Sequence, residues 1–154
     1  MAEIYSIVFK PRDMDDLEER YLRVPVEEAV LVTGYGIEGD VKGGHPKRNL
    51  NVMDYETMQE LGVDGFKVNP GELGEQIIIR GLKLSELEPG ARLRLGDAAM
   101  IEVVEPRTGC ERFEGIQTLS RTIATNRLGM MARVVADGTI NVGDPVNQVA
   151  QTGD

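Results

Sequence analysis

The sequence contains one cysteine, one histidine, no tryptophan and fewer basic than acidic residues, 17 against 26. A single cysteine excludes an internal disulfide, and an odd thiol is unfavourable in a secreted protein. The net charge of −9 argues against a general nucleic-acid-binding surface. No apolar run approaches the roughly 20 residues needed to span a bilayer, and the N-terminal segment lacks a signal-peptide pattern. We therefore expect a cytoplasmic protein without membrane or nucleic-acid partners.

The composition is that of an ordinary globular domain. The chain has 154 residues, of which 41% are hydrophobic and 28% charged. This length is sufficient to bury one core, and no internal repeat or linker divides the sequence. We predict a single domain over residues 1–154.

Short apolar segments bounded by turn residues predict a mainly β fold with a few peripheral short helices. The predicted strands cover residues 4–9, 24–33, 50–53, 76–80, 91–95, 98–105, 130–136, 139–142 and 145–149. The dipeptides Gly96-Asp97 and Asp137-Gly138 predict two hairpins. Regular turns among short strands favour a closed or partly closed β-barrel over a sandwich, although both architectures agree with the pattern.

One helix is predicted at residues 55–61, with Asp54 as its N-cap and Gly62 as its end. The spacing of Tyr55, Met58 and Leu61 indicates an apolar face that packs on the core. Residues 11–23 are polar and are expected to form a peripheral excursion with a helical turn, and a short turn capped by Ser85 is expected before the strand at 91–95.

Residues 34–49 form a loop with five glycines and one proline in sixteen positions. Glycines permit positive φ and let backbone N–H groups approach a ligand closely. The loop contains a GxGxxG pattern, but the residues after it do not open a helix, so a dinucleotide site is not predicted. Three cations and the single histidine lie within residues 42–48. This basic patch on an acidic protein indicates a small anionic ligand, with a solvated loop as the alternative.

Cys110 follows the predicted strand at residues 98–105 and lies between Arg107 and Arg112. Nearby guanidinium groups and the start of a helix, predicted here at residues 111–117, favour the thiolate form. Glu111 and Glu114 act in the opposite direction. A small buried side chain without reactivity is the alternative for such a cysteine.

Six segments, taken in their order along the chain, resemble the MOSC domain, named after the C-terminal part of molybdenum cofactor sulfurase. They are GIEGD (36–40), KGGHPKR (42–48), NPGELGEQIIIRGL (69–82), PGARLRLGDAAMIEV (89–103), EPRTGC (105–110) and VGDPV (142–146). The resemblance extends over about residues 24–146. It implies a β-barrel-like fold with a few peripheral helices, and a pocket for molybdenum cofactor (molybdopterin), a pterin dithiolene that carries a phosphate.

The resemblance also implies that Cys110 is the signature cysteine of the family, acting as a sulfur carrier or as a ligand to molybdenum. Some family members reduce N-hydroxylated substrates. The positive lining of the pocket would come from Lys42, Lys47, Arg48, Arg107 and Arg112, and close backbone approach from Gly43 and Gly44. We interpret Glu72 and Glu75 as turn or orienting residues, because a carboxylate beside an anionic ligand is unfavourable.

The sequence departs from the family where many relatives carry a histidine shortly after the Gly-Asp pair. This chain has Lys42 there, and His45 follows three residues later. His45 is then a shifted counterpart of that histidine, a proton donor in the site or an exposed loop residue.

The sequence has no aminotransferase-like module and no iron–sulfur or flavin motif, so a complete cycle is expected to need an external sulfur donor or an electron-transfer protein. Two other functions agree with the residues. One is a non-catalytic module that binds a small phosphorylated or oxyanionic ligand or a partner enzyme. The other, less favoured, is a hydrolase that pairs Cys110 with His45.

Overall fold

The computed structural model describes residues 2–11, 24–40, 43–45, 47–107, 117 and 127–149. The helices whose bounds lie within this part of the chain are α1 (Tyr55–Val63) and a 3₁₀ helix (Leu84–Glu86). The strands are β1 (Glu3–Phe9), β2 (Val24–Val26), β3 (Glu28–Val32), β4 (Gly36–Ile37), β5 (Leu50–Asp54), β6 (Ile77–Arg80), β7 (Arg92–Leu95), β8 (Ala99–Pro106), β9 (Met130–Ala136), β10 (Gly138–Asn141) and β11 (Val146–Val149).

The strands form two sheets. The large sheet has the order β11-β7-β8-β9-β5-β6-β1-β2, and the small sheet has the order β10-β3-β4. All neighbouring pairs are antiparallel except β5 and β6, which are parallel and are connected through α1. A parallel pair requires such a crossover, because a tight turn joins only antiparallel strands.

The prediction of a mainly β fold is confirmed. Among the described residues the strands form two sheets rather than a closed barrel. An antiparallel bridge between Glu3 and Pro145 nevertheless brings the β11 edge of the large sheet back to β1, the strand next to the opposite edge.

Two local predictions are wrong. In both places the chain passes from one sheet to the other, whereas the sequence pattern predicted that it stays in the same sheet. Residues 24–33 form two strands rather than one: β2 pairs with β1 in the large sheet, whereas β3 pairs with β10 in the small sheet. Asp137-Gly138 does not make a hairpin, since β9 pairs with β5 and β8. The carboxylate of Asp137 instead accepts a hydrogen bond from the backbone N–H of Thr33 at 2.6 Å, which ties the turn to the small sheet.

The other strand predictions agree with the structure to within one or two residues, including the hairpin of β7 and β8 at Gly96-Asp97. The turn near residue 85 is the 3₁₀ helix, but its N-cap position is Lys83 and no side chain caps it. Of the excursion predicted at 11–23 and the helix predicted at 111–117, residues 12–23 and 111–116 lie outside the described residues, whereas Gln117 is described and is helical.

The helix begins as predicted and ends two residues later than predicted. Asp54 caps α1 by accepting the N–H of Thr57 at 3.0 Å. The helix passes through Gly62 and ends in a Schellman motif, in which Gly65 has φ +101° and Phe66 N–H donates to Leu61 O at 3.0 Å. No helix in the described ranges is long and apolar enough to cross a membrane.

The large sheet is buried on both faces at its centre. Ile77 and Ile79 of β6 point into the core that the two sheets share. Ile78 points to the opposite face, where Met53 and the α1 residue Leu61 form a second apolar cluster. This burial explains why β6 reads as a continuous apolar run rather than an alternating one.

We predict that Asp54→Ala lowers the free energy of unfolding by about 1–2 kcal/mol, because the first turn of α1 loses its cap. Asp54→Asn retains a capping acceptor and is expected to change it by less than about 0.5 kcal/mol. Urea denaturation of both variants tests this, with Glu60→Ala in the same helix as the control. Equal losses in the alanine and asparagine variants would contradict the capping role.

A second prediction concerns acid stability. Burial tends to raise the pKa of Glu102, but hydrogen bonds from Arg133 and Arg92 outweigh it and hold that pKa below its ordinary value of 4.5. The resulting stabilisation is present above the ordinary pKa and is lost as the pH falls through the lowered one. Glu102→Gln should therefore be less stable than the wild type at pH 7, and the difference should shrink towards about pH 3. Urea denaturation at both pH values measures it, with Glu88→Gln at an exposed position as the control for the loss of one carboxylate.

Candidate functional site

Three parts of the chain that the sequence singled out meet in the structure. They are the basic loop (residues 43–48), the loop at residues 71–76 and the C-terminal end of β8. The Asn51 side chain of β5 donates to Gly74 O at 3.2 Å. Arg48 reaches Glu105 on β8 at 3.0 Å, and Arg107 donates to Leu73 O at 2.6 Å. We call this group of contacts the loop junction.

The glycines of the basic loop are held against Tyr35. A Cβ atom on Gly43 would overlap the Tyr35 ring, so only glycine allows this approach. Gly44 has φ +101°, and its N–H donates to Tyr35 O at 2.7 Å. The Tyr35 hydroxyl in turn donates to Asp40 O at 2.7 Å. The loop backbone is therefore anchored at both glycines.

His45 is exposed and organises the loop around it. Its Nδ1 atom accepts the backbone N–H groups of Lys47 at 3.1 Å and Arg48 at 3.3 Å. An accepting Nδ1 requires the tautomer with hydrogen on Nε2. His45 is thus an exposed loop residue, and its side chain also shapes the loop that carries Lys47 and Arg48.

Asn49 fixes the end of the basic loop to the large sheet. Its side chain is buried, and its Oδ1 accepts Val134 N–H of β9 at 3.1 Å. Its Nδ2 donates to His45 O at 3.1 Å. One buried amide thus connects the loop to a strand 85 residues later in the sequence.

A buried polar network continues from the loop to β6. The Asp40 carboxylate is fully buried and accepts hydrogen bonds from the Gln76 side chain and from Lys10 N–H at 3.3 Å. Gln76 Oε1 accepts Asn51 N–H at 2.7 Å. Because buried polar groups need partners, this network restricts how the 34–45 segment can sit on the sheet.

The 71–76 loop is closed by its own carboxylates. Glu75 accepts Gly71 N–H at 2.7 Å and Leu73 N–H at 3.2 Å. Glu72 accepts Asn69 N–H at 2.9 Å. These hydrogen bonds confirm the interpretation of both glutamates as turn residues.

Arg107 lies directly beneath this loop and is only 7% exposed. Besides its bond to Leu73 O, its guanidinium occupies the space that a Cβ atom on Gly74 would need. Its backbone N–H donates to Gly129 O at 3.0 Å. Arg107 therefore joins the end of β8 to the 71–76 loop while bringing a positive charge to the junction.

Arg48 approaches the same strand from outside. Its ion pair with Glu105 is about half exposed, and its NH1 also lies 3.3 Å from Met131 Sδ. The β8–β9 register shifts between Val103 and Glu105, and such irregularities redirect side chains at strand ends. Glu105 therefore pairs with one predicted site cation, Arg48.

Of the predicted site residues, the structure describes Gly43, Gly44, His45, Lys47, Arg48 and Arg107. Lys42, Cys110 and Arg112 lie outside the described residues. Among all the residues that the structure describes, no three His, Cys, Asp or Glu side chains are grouped so that they could hold a metal ion. A cavity of about 390 Å³ lies beside Pro106, the last residue of β8.

Sequence reasoning did not identify Asp40, Asn49 and Gln76 as organising residues. A signal was present, since Asn49 and Gln76 directly precede apolar strands, where a buried amide needs a partner. Their partners lie far away in the sequence and could not be read from local spacing.

The fold and the loop junction define a mainly β domain with glycine-rich loops arranged around the end of one strand. The chain belongs to the MOSC domain family, whose pattern matches residues 41–147. It is also 35% identical over 81 residues to a protein from Gibberella moniliformis named "Reductase". That match covers 50% of this chain and 14% of the fungal protein.

Solved structures share the fold. The YuaD protein from Bacillus subtilis has a TM-score of 0.78 at 15% identity, covering 95% of this chain and 94% of that protein. YiiM from Geobacillus stearothermophilus has a TM-score of 0.76 at 22% identity, with 97% and 76% covered. YiiM from Escherichia coli has a TM-score of 0.72 at 23% identity, with 100% and 72% covered.

The packing of Gly74 on Arg107 leads to a prediction. Gly74 and Gly34 have nearly the same positive φ, +79° and +77°, but a Cβ atom at Gly34 meets nothing within 4 Å. Gly34→Ala should cost about 1–2 kcal/mol of stability from backbone strain alone. Gly74→Ala should cost at least about 1 kcal/mol more, because Arg107 must move. Urea denaturation measures both. Equal losses of stability in the two variants would show that the Arg107 guanidinium moves aside without an energetic cost.

Proposed function

We propose that this protein binds molybdenum cofactor and acts through Cys110, either as a molybdenum-dependent reductase or as a sulfur carrier. Membership of the MOSC domain family is the observation that carries the proposal. The fungal relative named a reductase supports the first form, although only 14% of that protein is matched.

The proposed role of Cys110 follows from thiol chemistry and from its position in the sequence. A soft thiolate is suited to a soft metal centre and to persulfide formation. Cys110 follows Arg107 by three residues, a stretch of chain that reaches at most about 11 Å. The proposal therefore requires the thiol to act close to the end of β8, where a guanidinium beside it would favour its ionised form.

The basic loop would hold the anionic part of the cofactor through Gly43, Gly44, His45, Lys47 and Arg48, and Lys42 and Arg112 would add further positive charge. The ion pair of Arg48 with Glu105 is exposed on both sides, 45% and 50%. Exposed pairs contribute about 0–1 kcal/mol, so an oxyanion can take over the guanidinium at little cost. The loop thus presents the Arg48 guanidinium in a defined position and holds it there by a weak ion pair only.

Arg107 would act differently from Arg48. Because it is buried and donates to Leu73 O, it would keep the 71–76 loop in place and add positive potential beside the anion. When bound, the molybdenum centre would supply the redox or sulfur-exchange chemistry, while these residues bind and orient it. A complete cycle would also need an electron-transfer protein or a sulfur donor from outside.

The alternative is a non-catalytic module that binds a small phosphorylated or oxyanionic ligand, or a partner enzyme. The exposed Lys47 and Arg48 on an anchored loop favour it, since they would provide positive charge for an anion without any thiol. In that case ligand affinity depends on the loop cations and not on Cys110.

We predict that the wild type, produced in a host that makes molybdenum cofactor, retains molybdenum and pterin after purification. Cys110→Ser is expected to lose most of the molybdenum, because the hydroxyl is a poor substitute for a soft thiolate ligand. Elemental analysis and the fluorescence of the oxidised pterin measure both. Equal cofactor in the two proteins would refute ligation by Cys110, and cofactor in neither would favour transient sulfur carriage or the non-catalytic module.

Arg48→Gln tests the contribution of the basic loop to ligand binding separately from that of the Cys110 thiol. It should lower the retained pterin, or the affinity for a phosphorylated ligand, by about tenfold, because it removes one charge-assisted contact. Arg94→Gln, an equal charge change at an exposed position on β7, should have no effect. If Arg48→Gln matters and Cys110→Ser does not, the non-catalytic alternative is correct.

A further inference from the structure

Met131 lies on the outer side of β9, beside the cation that the basic loop carries to the large sheet. Its Sδ atom is 3.3 Å from Arg48 NH1, and the same NH1 atom donates to Glu105 Oε1 at 3.0 Å. Met131 and Glu105 are direct partners across β9 and β8. Because a thioether is only a weak acceptor, the carboxylate is the stronger partner of this guanidinium. Arg48 thus touches a sulfur atom whose acceptor strength rises on oxidation.

Met131 is one of two partly exposed methionines in the part of the chain that the structure describes, and the other is Met100 on β8. Met53, Met58 and Met130 are at most 7% exposed, so packing protects them from a dissolved oxidant. Met100 Sδ accepts no hydrogen bond from the described residues. Met131 therefore combines access for an oxidant with direct contact to a cation.

A second ion pair on the same side of the sheet shows why Arg48 is the cation that would respond. Arg133, two residues beyond Met131, donates two N–H groups to Glu102 at 2.9 and 2.7 Å. The Glu102 side chain is only 17% exposed, whereas both side chains of the Arg48–Glu105 pair are about half exposed. An exposed pair contributes little, so a new acceptor beside Arg48 changes the hydrogen bonding of that guanidinium readily.

We propose that Met131 is an oxidation site that controls the basic loop. Oxidation to methionine sulfoxide places a polar oxygen beside Arg48 NH1, and the guanidinium donates to this oxygen and to Glu105 together. Arg48 is then less available to an oxyanion. The oxidation and the capture of Arg48 depend only on these contacts, whereas the effect on ligand binding rests on the proposed function of the basic loop.

The oxidant is a hydroperoxide such as hydrogen peroxide. A lone pair of the Met131 sulfur attacks one peroxide oxygen, and the O–O bond breaks. The proton of the attacked oxygen passes to the departing one, which leaves as water. The sulfur loses two electrons and the peroxide gains them. Methionine sulfoxide reductases restore the thioether, so the change is reversible.

Peptide mapping by mass spectrometry after brief peroxide treatment tests the oxidation step. Dithiothreitol added before the mapping reverses sulfenic acid formation at Cys110 and leaves the sulfoxide in place. Met131 sulfoxide should form at least about tenfold faster than the sulfoxide of Met130, its buried neighbour. Equal rates at the two residues would show oxidation of unfolded chains and would overturn the proposal.

The capture of Arg48 can be measured without any cofactor, from the Nε–H signal of its side chain in NMR spectra. After peroxide and dithiothreitol, this signal should shift in the wild type and in Met100→Leu, the matched control. It should stay in place in Met131→Leu, which has no sulfur to oxidise at that position. An unchanged signal in the oxidised wild type, or a shift in all three proteins, would refute the capture.

Inorganic phosphate is the probe for the effect on ligand binding, measured by isothermal titration. Oxidation should weaken its binding to the wild type about fivefold, because one hydrogen-bond donor is withdrawn, and should leave Met131→Leu unchanged. Met131→Gln, which carries an amide oxygen at a similar position, should show the weaker binding without oxidant. Equal affinities before and after oxidation would overturn the control of binding. Absence of phosphate binding to the untreated protein would refute the proposed anion site, while the Arg48 signal would still decide the capture.

Discussion

The buried carboxylate of Asp40 is the constraint on which the loop junction depends. Asp40 is fully inaccessible, and its carboxylate oxygens accept from the Gln76 amide and from Lys10 N–H. Its backbone oxygen also accepts the Tyr35 hydroxyl. A carboxylate can remain buried only where donors surround it, so the chain segments that carry these donors must meet at one place. The glycine-rich loop is therefore tied to both β1 and β6.

The constraint passes from Asp40 to Arg107 through direct contacts. Gln76 also accepts the N–H of Asn51, and the Asn51 side chain donates to Gly74 O. Gly74 lies against the Arg107 guanidinium at the end of β8. Displacement of any member leaves a buried polar group unpaired, and this typically costs about 1–3 kcal/mol. A site built on such a network is held in position before any ligand arrives, and this lowers the cost of binding.

Local pattern was sufficient to predict most strands and the cap of α1, because alternation and capping depend on neighbouring residues. It failed at residues 24–33 and at Asp137-Gly138, where the chain passes from one sheet to the other. The apolar pattern of a segment does not show which sheet the segment joins, since pairing in either sheet buries the same side chains. In the candidate site, the glycines and Arg107 were predicted from the sequence, but the burial of Arg107 and the role of Asn49 were not. Asn49 bonds to a strand 85 residues away, and no local spacing encodes that contact.

The end of β8 borders two different compartments. Pro106 lines the cavity beside α1, whereas the Arg107 side chain lies beneath the 71–76 loop. Successive residues of an extended strand point to opposite faces, so one peptide step separates the cavity beside α1 from the cationic junction. The chain continues towards Cys110 from the boundary between them, so a ligand held on either side lies next to the start of the thiol-bearing segment.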